Sequence, residues 1–160
     1  MIRTVIGLDP GRQTGICVWS ANGKARLQTV DLGGPAMGTR LWMLWKLAFF
    51  AANDCTPEIL VVYEEPARMQ GVAGQQIAQY LGVIRLWCEI HEVASYPVNQ
   101  STLKAWAAKT NGHKGKVTKE EMIRWAKAEG AEPGDDNQAD AYWLARYGWE
   151  MVVPNMGVDT

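Results

Sequence analysis

Acidic residues stand at three places where the chain could bring them together. Asp9 ends the apolar run that opens the sequence, and Glu64 directly follows the run Ile59–Tyr63. Asp136 and Asp140 are four residues apart in a segment expected to be helical, so both can lie on one face about 5–6 Å apart. Each placement alone has an ordinary explanation as a turn, a strand end or a helix cap.

The combination of these carboxylates points to metal-dependent chemistry. Carboxylates that converge without neutralising partners repel one another. Mg²⁺ removes that repulsion and prefers oxygen ligands. Two such ions about 3.5–4 Å apart activate a water and stabilise the leaving oxygen in phosphodiester cleavage. The acidic residues therefore predict a site for two Mg²⁺ ions, with Mn²⁺ as a substitute.

Basic residues cluster just before the last acidic segment. The net charge of the chain is −1, so no global basic field marks it as a nucleic-acid binder. Between Gln100 and Lys127, however, only two acidic residues oppose seven basic ones. Such a local patch beside an acidic cluster suits an enzyme that binds polyanions, although a solvated helix face is the ordinary interpretation. The candidate contacts are Lys104, Lys109, Lys114, Lys116 and Lys119. His113 lies in the same segment and is either another contact or a solvent-exposed side chain.

Length and composition limit the class of protein. The 160 residues fit one domain, and 48% hydrophobic with 21% charged residues is ordinary for a globular protein. No run of about 18 apolar residues exists, which argues against a membrane span. The N-terminus does not resemble a secretory signal, so we expect a cytoplasmic protein. Cys17, Cys55 and Cys88 have no metal-ligand spacing, so we expect reduced, structural cysteines and no zinc site.

The apolar pattern predicts three strands, then strands alternating with helices. Asn22-Gly23 is a hairpin signal between the second strand and the third. The predicted strands are Ile2–Asp9, Thr14–Ser20, Ala25–Leu32, Glu58–Tyr63 and Glu92–Tyr96, the last ending before Pro97. This order predicts an α/β fold with a mixed five-stranded sheet, in which a three-stranded antiparallel meander is joined by parallel strands and flanked by helices.

Five helices are predicted between and after these strands. The first spans Thr39–Asn53, and a glycine-rich loop at Gly71–Gly74 leads into the second, which runs to Glu89. The third spans Ser101–Lys109. Thr118 and Glu121 have capping-box spacing at the start of the fourth, which ends at Gly130. The fifth spans Asp136–Tyr147 and stops at Gly148. We expect one domain over residues 1–150 and a loosely held tail over residues 151–160.

Four motifs resemble one known family. In chain order they are Ile6-Gly7-Leu8-Asp9-Pro10-Gly11 with Thr14-Gly15, Val61-Val62-Tyr63-Glu64, Lys104 with Gly115-Lys116-Val117-Thr118-Lys119, and Asp136-Asn137-Gln138-Ala139-Asp140-Ala141. Together they resemble the motifs of RuvC-like Holliday junction resolvases, also called crossover junction endodeoxyribonucleases, from about Ile2 to Tyr147. The small size and the altered last motif suggest a phage or prophage version.

The resemblance implies a ribonuclease H-like fold and Mg²⁺-dependent cleavage of four-way DNA junctions, in recombination and repair, by a homodimer. It implies that Asp9, Glu64 and Asp140 ligate metal, and that Lys104 and Lys119 contact phosphate nearby. Bacterial members have an aspartate three residues before the last one, where this chain has Asn137. Asp136 is the favoured fourth ligand because a carboxylate binds Mg²⁺ better than an amide, while Asn137 and Glu65 stay open.

The predicted second helix also bears on the oligomeric state. It carries apolar residues at helical spacing, namely Ile77, Tyr80, Leu81, Ile84 and Trp87. This is more apolar surface than one sheet face needs, which favours a homodimer, although simple packing on the sheet explains it equally well. A C₂ dimer presents two equivalent sites to the two strands of a junction.

Three other functions compete with a junction resolvase. A sugar-kinase-like or actin-like ATPase also opens with a strand and an Asp-Gly phosphate loop, but needs two such domains. The chain has no Walker-type phosphate loop, and no nucleotide cofactor is expected. A YqgF-like RNA-processing nuclease shares the fold and the strand motifs. A non-catalytic branched-DNA-binding module of the same fold is disfavoured by the acidic residues, although Asn137 gives it some support.

Overall fold

The computed structural model describes residues 1–34, 36–53 and 58–156. The strands are Thr4–Asp9 (β1), Gln13–Ser20 (β2), Ala25–Asp31 (β3), Ile59–Glu64 (β4) and Ala94–Val98 (β5). The helices are Met37–Asn53 (α1), Gly71–Ile90 (α2), Gln100–Thr110 (α3), Lys119–Ala128 (α4) and Asp136–Tyr147 (α5). A π-helical turn, Gly148–Val152, and a short 3₁₀ helix, Val153–Asn155, follow.

The five strands form one mixed sheet in the order β3-β2-β1-β4-β5. The first three strands pair antiparallel, and β4 pairs parallel with both β1 and β5. This is the predicted α/β architecture: an antiparallel meander extended by parallel strands, with helices on the sheet. The fold-class prediction is therefore confirmed.

Helices cover both faces of the sheet, and each face has its own core. Val5, Leu60 and Val62 point to one face and pack with residues of α3, α4 and α5. Ile6 and Leu8 point to the other face and pack with α1 and α2. Because side chains alternate along a strand, a central strand covered on both faces has to be apolar throughout, as β1 and β4 are.

The apolar stripe on α2 belongs to the second of these cores. Tyr80, Leu81, Ile84 and Trp87 are buried, and Ile77 is partly buried. Packing on the sheet therefore accounts for this stripe, and it offers no surface to a second subunit. Other apolar side chains on the same helix are exposed: Val72 (72%), Leu86 (54%) and Ile90 (58%).

Several predicted boundaries were wrong. The loop expected at Gly71–Gly74 is the first turn of α2, where a Cβ on Gly74 would come within 2.4 Å of the Met69 backbone. Pro97 lies inside β5 and does not end it. β5 is an edge strand and pairs only with β4. Proline is tolerated in such a strand because an N–H on the unpaired side has no strand partner to lose.

The end of the chain also differs from the expectation. The last α-helix spans Asp136–Tyr147 as predicted, but Gly148 does not break the helical path, because its backbone stays helical and opens the π-helical turn. A Cβ there would come within 2.5 Å of Val62 and 2.9 Å of Val5, so glycine permits close packing on the sheet. Val152, in the expected loose tail, is buried in the core.

Other predictions can be compared directly with the structure. Thr118 and Glu121 form the predicted capping box of α4. Cys17 and Cys88 are free and buried, while Cys55 lies outside the described residues. Within the described part of the chain, we find no helix with the length and hydropathy needed to cross a membrane.

Candidate active site

Asp9 and Glu64 lie at the same edge of the sheet. They end β1 and β4, which are parallel neighbours with Leu8 opposite Tyr63. The carboxyl ends of parallel strands meet at one edge, and open α/β sheets bind ligands in the crevice outside these ends. Both side chains are partly buried. The sheet register therefore brings together two of the predicted site residues.

Two glycines bring α5 close enough to add a third carboxylate. A Cβ on Gly7 would lie 2.1 Å from the Ala141 carbonyl oxygen, and one on Gly15 would lie 2.0 Å from that of Asn137. The helix thus rests directly on the backbones of β1 and β2. Asp140 lies on this helix between the two contact points, Asn137 and Ala141, and its side chain is buried.

Burial and neighbouring negative charges raise the pKa values of these three carboxylates. Burial, and then the charges of Glu64, Asp140 and Asp136, hold the pKa of Asp9 well above its usual range. Burial and the Asp140 charge raise the pKa of Glu64 to about 7. Burial raises the pKa of Asp140 to about 6, with a further contribution from Asp136. Mutual repulsion of this kind is found where carboxylates share one site.

Two lysines lie within electrostatic range of the carboxylates. Lys104 on α3 acts to lower the pKa values of both Glu64 and Asp140. Lys119, the first residue of α4, acts in the same direction on Asp9 and Asp140. The other three predicted lysine contacts, Lys109, Lys114 and Lys116, are exposed. Among the described residues, no contact links these three to the carboxylates.

Asp136 is arranged differently from the other three acids. It forms an ion pair with Lys119, and this bond lowers the pKa of Asp136. Its negative charge contributes to the raised pKa values of Asp9 and Asp140, so Asp136 lies beside these carboxylates. The helix cap is Asp135, whose side chain accepts from the Gln138 N–H at 2.8 Å. The alternative role of Asp136 as the cap is therefore excluded.

Asn137 and Glu65, the two other candidates for the fourth metal ligand, lie in different surroundings. Asn137 packs its backbone against Gly15, the residue paired with Asp9, and so also lies next to the cluster. Glu65 turns away and forms an ion pair with Arg85, which also donates to the Tyr63 hydroxyl at 3.0 Å. The alternation of β4 predicted that Glu65 would lie apart from Glu64.

Gln100 is a site residue that the sequence did not reveal. Its side chain hydrogen-bonds the Glu64 carboxylate from the start of α3. Asn99, which caps this helix, also donates to the Glu65 carbonyl oxygen at 3.4 Å, so the end of β4 and the start of α3 are joined. An amide near a helix start has many ordinary roles, and no local pattern distinguishes this one. For Asp135, in contrast, the capping-box spacing to Gln138 was a usable signal.

The donor atoms suit a hard divalent cation. All the converging groups offer carboxylate oxygen, the ligand type that Mg²⁺ prefers. Glu64 Oε2 is buried without a hydrogen-bond partner in the described structure, so it can accept a cation without losing another bond. As they stand, no three His, Cys, Asp or Glu side chains in residues 1–34, 36–53 and 58–156 are arranged to hold a metal ion.

Comparison with known proteins identifies the fold. No protein-family model matches the chain, and no curated protein sequence matches it. Among solved structures, Thermus thermophilus RuvC in complex with a Holliday junction substrate matches with a TM-score of 0.70. A second structure of Thermus thermophilus RuvC matches with a TM-score of 0.68. In both comparisons the identity is 22%, over 89% of this chain and 90% of the other. The chain therefore has a RuvC-like, ribonuclease H-like fold.

Proposed function

We propose that this protein is a divalent-metal-dependent endonuclease that resolves Holliday junctions or other branched DNA by hydrolysing phosphodiester bonds. The observation that carries the proposal is the convergence of Asp9, Glu64 and Asp140 at one edge of the sheet. One matching RuvC structure holds a Holliday junction substrate, which supports branched DNA as the substrate.

The proposed ligands for two Mg²⁺ ions are Asp9, Glu64, Asp136 and Asp140. When bound, these ions activate a water for attack and stabilise the leaving oxygen. Glu64 offers its unpartnered Oε2, while the hydrogen bond from Gln100 restrains the carboxylate. Asp136 pairs with Lys119 through Oδ2, so a bound metal would compete with this lysine for the carboxylate. Bound cations would offset both the burial and the neighbouring negative charges that raise the pKa values of these carboxylates.

The proposed DNA contacts belong to α3, to the first residue of α4 and to the segment between these helices. Lys104 is near both Glu64 and Asp140, which suits it to hold a phosphate oxygen beside the cleaved bond. Lys119 is 65% exposed and can leave Asp136 for a phosphate. The other proposed contacts are the exposed lysines Lys109, Lys114 and Lys116.

We also propose a homodimer, since two symmetric cuts need two equivalent sites. The exposed residues Val72, Leu86 and Ile90 give α2 an apolar outer surface for such an interface. Sedimentation at micromolar concentration should give a dimer, and a monomer both with and without junction would contradict this. A cytoplasmic location and a phage origin stay predictions from the sequence.

A substrate panel separates this function from its competitors. Purified protein is incubated with a synthetic four-way junction, a linear duplex of the same sequence and a structured RNA, each with Mg²⁺ or EDTA. We expect Mg²⁺-dependent, symmetric nicks in the junction only. Cleavage of RNA alone would favour a YqgF-like RNA-processing nuclease. Tight junction binding without cleavage in Mg²⁺ or Mn²⁺ would favour a non-catalytic branched-DNA-binding module.

A further inference from the structure

The segment between α3 and α4 is folded against one side chain, His113. The His113 backbone N–H donates to the Ala108 carbonyl oxygen at 2.9 Å, which continues the end of α3. Its ring packs on Trp125 of α4, with 5.3 Å between ring centroids. The side chain is 25% exposed. It is thus neither a free surface histidine nor a side chain extended toward a ligand.

His113 is also connected to the N-terminal cap of α4. Its Nδ1 lies 3.4 Å from Glu121 Oε1. The other oxygen of the same carboxylate accepts from the Thr118 N–H at 2.8 Å, and the Thr118 hydroxyl accepts from the Glu121 N–H at 3.2 Å. One carboxylate therefore caps the helix and holds the histidine. Lys119, the first residue of that helix, is the lysine that pairs with Asp136.

The other edge of the imidazole is covered by the loop itself. His113 Nε2 is buried and has no hydrogen-bond partner within the described residues. Gly115 has φ of +121°, and a Cβ on it would lie 3.8 Å from this nitrogen. A positive φ of this size favours glycine. One edge of the imidazole therefore faces Glu121 and the other faces the glycine of its own loop.

We propose that His113 is a positioning residue for the lysine-bearing segment Lys114–Lys119, which it anchors to α4 before DNA arrives. This inference rests on the proposed function, since it assigns the segment to a DNA backbone. Lys114 and Lys116 flank Gly115 and are exposed, so the fold of the loop decides where their charges lie. An anchored loop pays less ordering entropy on binding than a free one.

The first test measures junction affinity in EDTA across a salt series. His113→Phe keeps an aromatic ring on Trp125 but removes the polar contact with Glu121. Glu121→Gln retains a capping-box residue but presents an amide N–H₂ to the histidine. Both variants should bind the junction about three- to tenfold more weakly, with a reduced salt slope. Glu120→Gln removes the same charge from an exposed neighbour and should not weaken binding.

Two further readouts distinguish positioning from a general loss of structure. In the Lys116→Ala background, His113→Phe should add little, because both changes act through one loop. Hydrogen exchange should become faster over residues 112–118 in His113→Phe and Glu121→Gln, and stay unchanged over residues 122–127. This exchange measurement needs no DNA and therefore tests the anchoring independently of the proposed function.

The outcomes separate the inference from the function on which it rests. If the wild-type protein fails to bind a junction, the proposed function fails, while faster exchange in both variants still supports the anchor. Wild-type binding with unchanged affinity in both variants would overturn the positioning role alone. Weaker binding without faster exchange would also overturn it, because His113 would then be a direct DNA contact.

Discussion

Gly15 of β2 lies directly against Asn137 of α5, and a Cβ on this glycine would come within 2.0 Å of the Asn137 carbonyl oxygen. Gly15 is also the strand partner of Asp9. The same close approach that seats the helix therefore places its first turn beside the first carboxylate of the candidate site. Stability and site geometry depend here on one missing side chain.

Gly15→Ala should lower the free energy of unfolding by about 2–3 kcal/mol, because the new methyl group meets backbone that cannot move aside without shifting α5. Gly38→Ala is the matched control, since a Cβ there meets nothing within 4 Å. Urea unfolding curves for the two variants provide the measurement. Equal stability of Gly15→Ala and the wild-type protein would show that the helix can retreat freely.

The raised pKa values predict how metal-free stability depends on pH. Glu64 and Asp140 have folded-state pKa values of about 7 and about 6, above the ordinary values for these acids. Folding therefore favours their protonated forms. As the pH rises through about 6–7, both groups ionise in the folded protein and the free energy of unfolding falls. In EDTA, the unfolding temperature should fall by several degrees between pH 5 and pH 8.

Mg²⁺ should reverse this loss at pH 8 and have little effect at pH 5, because the ion binds the ionised carboxylates. Glu64→Gln, which removes one titrating group, should flatten the pH profile and weaken the response to Mg²⁺. A wild-type midpoint that rises with pH in EDTA would contradict the assignment of the site.

Lys119→Ala should weaken junction binding and reduce the slope of log affinity against log salt by about one unit, as expected for one lost phosphate contact. Lys24→Ala is the control, because Lys24 lies in the turn after β2, at the opposite end of the sheet from Asp9. Binding isotherms in EDTA over a salt series measure both slopes. Identical slopes for Lys119→Ala and the wild-type protein would remove this lysine from the DNA interface.

Asp136→Asn and Asn137→Ala compare the two candidates for the fourth ligand. Because Asp135 caps the helix, the first change should leave folding intact, while cleavage falls by orders of magnitude and recovers in part with Mn²⁺. Asn137→Ala should have a mild effect. The comparison is made in single-turnover junction cleavage. If Asn137→Ala abolishes cleavage and Asp136→Asn does not, the amide is the ligand.

Much of this fold was accessible from local sequence patterns. Asp9 and Glu64 could be placed at strand ends because an apolar run precedes each of them, and Thr118 could be recognised as a cap from its spacing to Glu121. These features depend on residues close together in the chain. The order of elements then limits the sheet to few arrangements.

The remaining features depend on contacts between distant parts of the chain. In the sequence, three glycines only interrupt the apolar pattern of the predicted strands and the last helix. In the structure, each lies where a helical segment packs closely against the sheet: Gly7, Gly15 and Gly148. The ion pair of Lys119 with Asp136 joins α4 to α5. Gln100, at the start of α3, interacts with Glu64 at the end of β4. No periodicity within one element encodes such partners.

Cleavage of a four-way junction by Asp9→Asn beside the wild-type protein tests the central claim most directly. Nick positions are mapped on all four strands in Mg²⁺, and junction affinity is measured separately in EDTA. The wild-type protein should make symmetric nicks, and the variant should make none while binding the junction at least as tightly, because it loses a metal ligand but keeps the lysines. Cleavage by Asp9→Asn near the wild-type rate would contradict the proposed active site.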